Sequence, residues 1–460
     1  MISTQILSSI EAIVSAGHVR RDEASRLAYG TDGTKRSAPA DLVVLPGNTN
    51  EIAAIARLCN THGIPLVPRG AGTGYSGGAV PTRGGIVLSL ERLNRILEID
   101  QADLVAVVEP CVVTRDLQDA VERVGLFYPP DPASLGQSSL GGNVAENAGG
   151  PRGFKYGTTK HYVLGVEAVL ATGEVIRTGG RTVKNVAGYD LTSLIVGSEG
   201  TLAIVTKAIL RLVPRPPASA TLAASFADVP RAAEAVDRLL RARIVPASIE
   251  LIDGACLEAV TRYLALDRAT GDTVGALLLI EVDGSAEAVA AEIVRVERAC
   301  VEAGAVRVER AHDEQRGDEL WRMRRELSPA LKEIAPVKVN NDIVVPRGKI
   351  PALFAFLARL ARERDVLVPS FGHAGDGNIH VNIMVEDTPA ARARATAAER
   401  ALFEEVIRLG GALTGEHGIG YVKAPFLRLQ LSDAEIALMQ RVKAAFDPKG
   451  ILNPGKIFSD

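Results

Sequence analysis

Two histidines in a glycine-rich stretch, and a glutamate–histidine pair further along, are the residues best suited to chemistry in this sequence. His373 and His380 flank a short run of Gly, Asp and Asn, and Glu416 and His417 follow them. Two imidazoles and one carboxylate can form a three-ligand site that leaves a coordination position open for substrate. The remaining imidazole, His417, is then available for proton transfer. The pattern predicts an enzyme that holds an oxygenated substrate on a metal.

The two histidines are expected on neighbouring strands. Residues 366–371 and 379–385 are apolar enough for strands, and the Gly and Asn residues between them favour a turn. That arrangement places both imidazoles at strand ends near each other, with Asp376 shaping the turn rather than binding metal. A histidine is more often a structural hydrogen-bonding residue than a ligand, so a metal-free site is the alternative interpretation.

A second glycine-rich stretch lies near residue 70. Residues 72–77 match G-x-G-x-x-G, but Ala79-Val80-Pro81 and a strand follow instead of the helix that nicotinamide binding requires. Backbone N–H groups of such a loop can still surround a diphosphate, because glycine permits close approach and positive φ. A ligand-free turn is the alternative, and further glycine clusters at 141–142, 149–150 and 197–200 favour the flavin interpretation.

The elements around this loop form a small α/β unit. A strand at 42–45, a helix capped by Asn48 and ended by Gly63, and strands at 65–68 and 86–90 are expected. The residues 214–217 read as a linker. After it, strands at 221–226, 247–252 and 276–282 and helices at 229–243 and 285–303 predict an α+β domain, with helices on one face of a mainly antiparallel sheet.

Length and composition limit the function classes. The 460 residues are 47% hydrophobic and 23% charged, with a net charge of −3. More than one globular domain is expected, without a nucleic-acid or anionic-membrane partner. The four cysteines form no CxxC pair, so an iron–sulfur cluster within the chain is not expected. The sequence contains no transmembrane segment or basic leader, which predicts a soluble cytoplasmic protein.

The glycine clusters together resemble one flavoprotein family. Pro68-Arg69-Gly70-Ala71-Gly72-Thr73-Gly74 with Ser76-Gly77-Gly78 is similar to the pyrophosphate loop of vanillyl-alcohol-oxidase-type FAD-binding domains. Later segments at 131–134, 141–157 and 197–206, and the C-terminal 446–456, resemble the family in order. The resemblance covers roughly residues 35–460, and its D-2-hydroxyacid dehydrogenase branch is the most similar.

The resemblance implies the fold, the domains and the cofactor. It implies an α+β protein: a vanillyl-alcohol-oxidase-type FAD-binding domain at 1–216, to which 443–460 return, and a ferredoxin-like α+β substrate- and metal-binding domain at 217–442. The loop has no histidine, so the FAD is expected to be noncovalent. The implied FAD contacts are Pro68, Arg69, Gly70, Ala71, Gly72, Thr73, Gly74, Ser76, Gly77, Gly78, Pro132, Ser134, Ser138, Gly141, Gly142, Asn143, Gly149, Gly150, Tyr156, Gly157, Glu199, Gly200, Ile204, Val205 and Asn453.

The resemblance also implies roles around the histidines. It makes His373, His380 and Glu416 ligands of a divalent metal and His417 the catalytic base. Nitrogen and oxygen ligands suit Zn²⁺, Mn²⁺ or Co²⁺, with zinc favoured. The three Arg residues within 321–328 suit either a carboxylate or a solvated helix face. By resemblance the substrate contacts are Arg324, Ser328, Lys338 and Asn382, with Ser328 departing from the Thr of 2-hydroxyglutarate-specific members.

The expected reaction is oxidation of a small D-2-hydroxy acid to the 2-oxo acid. Lactate or glycolate is favoured, and 2-hydroxyglutarate comes next. An external acceptor would take the electrons: a quinone, a cytochrome, an electron-transfer flavoprotein or an iron–sulfur subunit. Non-oxidising chemistry of the alkylglycerone-phosphate-synthase type and a flavin-binding accessory subunit are the alternatives. A homodimer, and attachment to a membrane through a partner, are both open.

Overall fold

A computed structural model describes residues 2–266 and 274–458, which form two compact units. Unit 1 contains Met1–Gly149, Gly157–Arg215 and Glu416–Asp460, and unit 2 contains Gly150–Tyr156 and Pro216–Gly415. The chain enters unit 2 for Gly150–Tyr156 and returns to unit 1 at Gly157. It enters unit 2 again at Pro216, within the expected linker. Residues 150–156 and 416–442 lie in the units opposite to those that the sequence-based boundaries assign them.

Most strands of unit 1 are short, and those of unit 2 are longer. In unit 1 they are β1 (Val19–Arg20), β2 (Leu42–Val44), β3 (Leu66–Arg69), β4 (Ile86–Ser89), β5 (Ile96–Asp100), β6 (Val105–Val108), β7 (Leu126–Phe127), β8 (Val163–Val169), β9 (Val175–Gly179), β10 (Ile204–Arg211) and β11 (Val213–Pro214). In unit 2 they are β12 (Ala218–Phe226), β13 (Ser248–Asp253), β14 (Ala276–Gly284), β15 (Arg307–Arg310), β16 (Val337–Val344), β17 (Ser370–His373) and β18 (Asn378–Val385).

Helices occur along the whole described chain. They are α1 (Thr4–Val14), α2 (Glu23–Tyr29), α3 (Thr49–His62), α4 (Thr114–Glu122), α5 (Leu140–Glu146), α6 (Gly153–Tyr156), α7 (Leu191–Ile195), α8 (Val229–Arg241), α9 (Gly254–Tyr263), α10 (Ala286–Glu302), α11 (Glu314–Arg325), α12 (Leu327–Leu331), α13 (Ile350–Arg364), α14 (Pro389–Arg408), α15 (Leu427–Gln430) and α16 (Asp433–Phe446). Short 3-10 turns cover Ala16–His18, Thr159–His161, Arg347–Lys349 and Ala424–Phe426. No described helix has the length and apolar character needed to cross a bilayer.

The first sheet of unit 1 follows the sequence prediction closely. Its strand order is β1-β2-β4-β3, and β4 pairs in parallel with β2 and β3. The Asn48 side chain accepts from the Glu51 N–H at the start of α3, and Gly63 ends that helix at φ 64°. The helix buries Ile52 and Cys59 in the core beneath the sheet. These elements confirm the predicted α/β unit, and β3 leads into the glycine-rich loop.

The second sheet of unit 1 is antiparallel throughout and has the order β5-β6-β10-β8-β9. The chain also returns to the first sheet near its end. The Leu66 N–H donates to the Ile451 carbonyl at 2.8 Å, and the Asn453 N–H donates to the Leu66 carbonyl at 2.8 Å. The C-terminal segment therefore pairs with β3 at the base of the glycine loop.

Unit 2 is built on a seven-stranded antiparallel sheet of described residues. Its order is β15-β12-β14-β13-β17-β18-β16, in which β12 to β15 have the ferredoxin-like arrangement. The α+β class is confirmed, but the expectation of helices on one face is wrong. Leu277 and Leu279 pack with α9, and the alternate residues Leu278 and Ile280 are also buried. Because alternate residues face opposite sides, helices cover both faces; α9 itself was not predicted.

Candidate active site

The glycine-rich loop of unit 1 has the geometry of an anion-binding backbone loop. A Cβ at Gly70 would lie 2.2 Å from the Ser139 Oγ, and Gly72 has φ +71°. Among the described residues, the N–H groups of Gly72, Thr73 and Gly74 donate to no protein acceptor. Backbone donors grouped in this way suit a diphosphate. The loop therefore fits the FAD that the sequence implies.

The loop forms one wall of a cavity of about 200 Å³ inside unit 1. Residues from the separate glycine clusters line it together, although they are far apart in sequence. The predicted FAD contacts among the lining residues are Pro68, Arg69, Gly70, Ala71, Gly72, Thr73, Gly74, Gly78, Pro132, Ser134, Gly141, Gly142, Asn143, Glu199, Gly200, Ile204, Val205 and Asn453. The fold thus brings most of the predicted contacts to one cavity.

The other predicted FAD contacts lie elsewhere. Ser76 donates to Glu146 Oε1 at 3.1 Å, and Ser138 bonds to Thr114 at 2.8 Å between their hydroxyl oxygens. A Cβ at Gly77 would overlap a tyrosine ring, and Gly157 at φ +82° packs against a histidine. In unit 2, near Gly150, the Tyr156 hydroxyl donates to Asp283 Oδ2 at 2.5 Å.

Glu416 and His417 line the same cavity of unit 1. The Tyr75 ring of the glycine loop stacks on the His417 ring, with centroids 5.3 Å apart and planes at 26°. A Cβ at Gly149 would lie 2.9 Å from Glu416 Oε2, so this predicted FAD contact borders the glutamate instead. The predicted base and the predicted flavin loop therefore share one surface of unit 1.

Glu199 holds the turn that carries His417. The N–H groups of Ile419 and Gly420 donate to its two carboxylate oxygens at 2.8 and 2.7 Å. Glu199 is buried and has φ 54°, a strained value for a residue with a side chain. Glu199, which the resemblance makes an FAD contact, therefore also has a structural role in this turn.

A second carboxyl group, that of Glu146, lies beside Glu199 with its Oε2 shielded from solvent, and it was not predicted. A Cβ at Gly418 would approach Glu146 Oε2 at 2.2 Å and Glu199 Oε1 at 3.0 Å. Burial, followed by the negative charge of Glu199, raises the pKa of Glu146 well above its usual range. These surroundings favour the protonated form of Glu146 more than those of an exposed glutamate do. Its place within a run of small residues gave no sequence signal for this environment.

His373 and His380 are adjacent in unit 2. His373 ends β17, and Phe371 stands opposite His380 across the β17–β18 pairing. The two imidazole centroids are 5.4 Å apart, their planes are 86° apart, and both side chains are buried. In the turn between them, Asp376 Oδ1 accepts from the Asn378 N–H at 3.1 Å. The predicted proximity of the histidines and the turn-shaping role of Asp376 are confirmed.

Glu250 contacts His373 and was missed by the sequence analysis. It stands opposite His373 in the β13–β17 pairing, and its side chain is fully buried. One carboxylate oxygen bonds His373 Nδ1, and the other accepts from Arg324 Nε. Burial would raise the pKa of Glu250, but its contacts with His373 and Arg324 lower it to about 2.

The predicted substrate contacts in unit 2 fall into two groups. Arg324 is buried and lies over the Phe371 ring, 4.6 Å from its centroid, so it does not belong to a solvated helix face. Asn382 accepts from Asn340 Nδ2 at 2.9 Å and donates to a backbone carbonyl. Both side chains therefore have partners within the protein.

Lys338 and Ser328 form the other group. The Lys338 ammonium donates to the Ser328 Oγ at 2.9 Å. Burial, followed by the charge of Lys332, lowers the pKa of Lys338 to about 8. The side chain is half-buried and has no carboxylate partner among the described residues. Of the predicted substrate cations, Lys338 is thus the one that lacks a protein counterion.

Known proteins resemble this chain over most of its length. Residues 40–179 match the model of the FAD binding domain, and residues 215–457 match that of the C-terminal domain of FAD linked oxidases. The chain is 43% identical to "Glycolate oxidase subunit GlcD" of Bacillus subtilis, over 100% of this chain and 98% of that protein. It is 35% identical to "D-lactate dehydrogenase" of Anaerostipes hadrus, over 91% and 90%. It is also 35% identical to "D-2-hydroxyglutarate dehydrogenase" of Stutzerimonas stutzeri, over 100% of both.

Solved structures share the fold at low identity. A substrate-bound p-cresol methylhydroxylase matches with a TM-score of 0.83 and 20% identity, over 99% of this chain and 96% of that chain. An alkyldihydroxyacetonephosphate synthase matches with a TM-score of 0.77 and 18% identity, over 98% and 84%. These likenesses confirm the predicted fold and carry no information about activity.

Proposed function

The chain belongs to the FAD-linked oxidase family, and we propose that it oxidises a small D-2-hydroxy acid to the 2-oxo acid. Relatives at 35% identity or more are named for glycolate, D-lactate and D-2-hydroxyglutarate. The observation that carries the proposal is the cavity of unit 1, where the glycine loop and His417 lie on one surface. A flavin site with a base at its edge suits removal of a proton and a hydride from one alcohol.

Two bound groups take part in the proposed reaction, and the chain has residues for both. When bound, FAD supplies a two-electron acceptor for the substrate hydride, and a divalent metal supplies a Lewis acid for the α-hydroxyl. His373, His380 and Glu416 would hold the metal, which is Zn²⁺ by preference and Mn²⁺ or Co²⁺ otherwise. The two nearly perpendicular, buried imidazoles of unit 2 support this ligand set.

His417 is the proposed base. It accepts the hydroxyl proton while the Cα–H bond electron pair leaves with its hydrogen, so the alcohol loses two electrons and two hydrogens. Stacking on the Tyr75 ring favours the observed orientation of the His417 imidazole.

Lys338, with Ser328 beside it, is proposed to bind the substrate carboxylate. A half-buried ammonium without a carboxylate partner attracts an anion more strongly than an exposed one. Arg324 and Asn382 stay predicted substrate contacts, and their protein partners leave them fewer free donors. One cation suits a monocarboxylate, so lactate or glycolate is favoured and 2-hydroxyglutarate comes next.

The reduced flavin would pass its electrons to an external acceptor. A curated relative is named as a subunit, which supports a partner protein. Because the described cysteines are dispersed single thiols, an iron–sulfur subunit, a cytochrome, an electron-transfer flavoprotein or a quinone would supply the next centre.

An anaerobic spectral titration tests the proposal. The purified flavoprotein is titrated with D- and L-lactate, D- and L-2-hydroxyglutarate and glycolate, before and after treatment with a chelator. We expect one acid, of D configuration where it is chiral, to bleach the flavin, the chelator to abolish the bleaching, and added metal to restore it. No bleaching by any acid in protein that carries both flavin and metal would overturn the proposal and favour non-oxidising chemistry or an accessory role.

A further inference from the structure

The strands of unit 2 place a carboxylate directly behind one predicted metal ligand. Glu250 in β13 and His373 in β17 are opposite each other in antiparallel register, and both side chains are buried. The pairing of two central strands sets their backbone positions, and burial on the same face keeps the two side chains together. Their contact is therefore a fixed part of the sheet.

The contact also selects one tautomer of the His373 imidazole. A neutral histidine carries a proton on one ring nitrogen and a lone pair on the other. When Nδ1–H donates to the Glu250 carboxylate, the lone pair is on Nε2. Carboxylates that hold metal-binding histidines in this way fix the ring orientation and raise the basicity of the ligand.

Arg324 keeps this carboxylate charged inside the protein. Its Nε donates to the second oxygen of Glu250, and its guanidinium lies over Phe371. A lone buried carboxylate would tend to become protonated, and it would then be a weaker acceptor for the imidazole N–H. The guanidinium is an always-charged partner with a planar geometry that matches a carboxylate.

We propose that Glu250 is a positioning residue that orients His373 for metal binding, and that Arg324 acts through Glu250 rather than only on the substrate. The inference rests on the proposed function in one respect, because it takes His373 as a metal ligand. It assigns a role to a residue that lies 123 positions from His373 in sequence.

Metal affinity tests this inference without using turnover. The chelator-treated flavoprotein is titrated with Zn²⁺ in competition with a chromophoric chelator, and the variant is Glu250→Gln. Gln preserves the shape but removes the charge, so we expect the metal Kd to rise about 10- to 100-fold. FAD content and the circular dichroism spectrum should stay unchanged.

Glu281→Gln is the matched control. Glu281 lies in β14 of the same sheet, opposite Ser248 of β13, and the substitution removes the same group in the same way. We expect its metal Kd to stay within about 3-fold of the wild type, a smaller change than that expected from loss of an outer carboxylate. A Glu250→Gln protein that binds Zn²⁺ as tightly as this control contradicts the inference.

A third variant separates this inference from the proposed function. His373→Ala should weaken Zn²⁺ binding more than Glu250→Gln does. If His373→Ala leaves the Kd unchanged, the metal site itself is wrong. If His373→Ala weakens binding and Glu250→Gln does not, the metal site stands and Glu250 is not its positioning residue. Should Glu250→Gln fail to fold, the pair Glu250→Leu with Arg324→Met removes both charges, and the same rise in Kd is expected.

Discussion

Glu146 in unit 1 and Glu250 in unit 2 both have carboxyl oxygens shielded from solvent, yet their pKa values shift in opposite directions. His373 and Arg324 bracket Glu250, and although burial opposes charge there, contact with them lowers the pKa of Glu250 to about 2. Glu146 has another carboxylate, Glu199, as its neighbour, and its pKa is raised well above its usual range. Burial alone opposes charge in both cases. The neighbours therefore decide whether a buried carboxyl acts as an anion or as an acid.

The opposite pKa shifts of Glu146 and Glu250 suit the two carboxyl groups to different roles. The anion in unit 2 can only accept hydrogen bonds, which suits it to fix a cation and an imidazole. In unit 1, burial raises the pKa of Glu199 as well, but the N–H groups of Ile419 and Gly420 and the charge of Lys456 oppose that rise. Variants of the two regions should accordingly fail in different ways.

The largest effect is expected from the proposed base, His417 of unit 1. His417→Ala should slow flavin reduction by about 10²- to 10⁴-fold, because the hydroxyl proton loses its acceptor. FAD content and metal content should not change. Anaerobic stopped-flow measurement of flavin bleaching checks this, with His62→Ala at the exposed end of α3 as the control. If His417→Ala reduced the flavin at the wild-type rate, His417 would not be the base.

Removing the anion of unit 2 should destabilise that unit strongly. Glu250→Leu leaves Arg324 buried without its partner, and we expect a loss of about 3–5 kcal/mol in the free energy of unfolding. Urea unfolding followed by the fluorescence of Trp321, the single tryptophan, reports on unit 2. Adding Arg324→Met should recover most of the loss. Equal stability of the single and double variants would show that the pair does not behave as a buried ion pair.

Substitution of Lys338 should have a smaller effect, which we expect on the KM for the substrate. Lys338→Met should raise KM about 10- to 100-fold at pH 7, the value of one charge-assisted hydrogen bond. Because the pKa of Lys338 is lowered to about 8, the wild-type ammonium loses its proton as the pH rises through that value. We therefore expect the wild-type KM to rise above pH 8 and that of Lys338→Met to stay flat. Parallel pH profiles for the two proteins would contradict the assignment.

Glu146→Gln should have the smallest effect. The folded-state pKa of Glu146 lies above its unfolded value of about 4.3, so folding binds a proton and stability falls as the pH rises between the two values. Gln does not titrate and still accepts from Ser76. The variant should match the wild type at pH 4 and be more stable at pH 8, as measured by flavin release on heating. If the wild-type protein instead became more stable from pH 4 to pH 8, the pKa of Glu146 would not be raised, and the contrast with Glu250 would fail.

The sequence predicted the features that are local in the chain. The Asn48 cap, the Gly63 helix end, the glycine loop and the turn between His373 and His380 each depend on residues within a few positions. Their signals are turn chemistry and the spacing of apolar residues, which a linear reading detects. The family resemblance added the distant glycine clusters that line one cavity.

The missed features depend on pairing between distant strands. Glu250 meets His373 only because β13 and β17 are neighbours, an adjacency that no local pattern specifies. The helix α9 follows β13 directly and covers a sheet face that was expected to be open. Arg324 resembled a surface residue among other arginines, and its burial follows from packing against Phe371.

The late return of the chain to β3 sets the order in which the units can mature during synthesis. The Asn453 side chain donates to the carbonyls of Gly78 and Glu199, and Gly78 precedes it by 375 positions. A ribosome that makes the chain from its N-terminus therefore completes the whole of unit 2 while unit 1 still lacks its final strand partner. The glycine loop lacks these contacts until the C-terminal segment has been made. We therefore expect stable binding of FAD only after translation is complete.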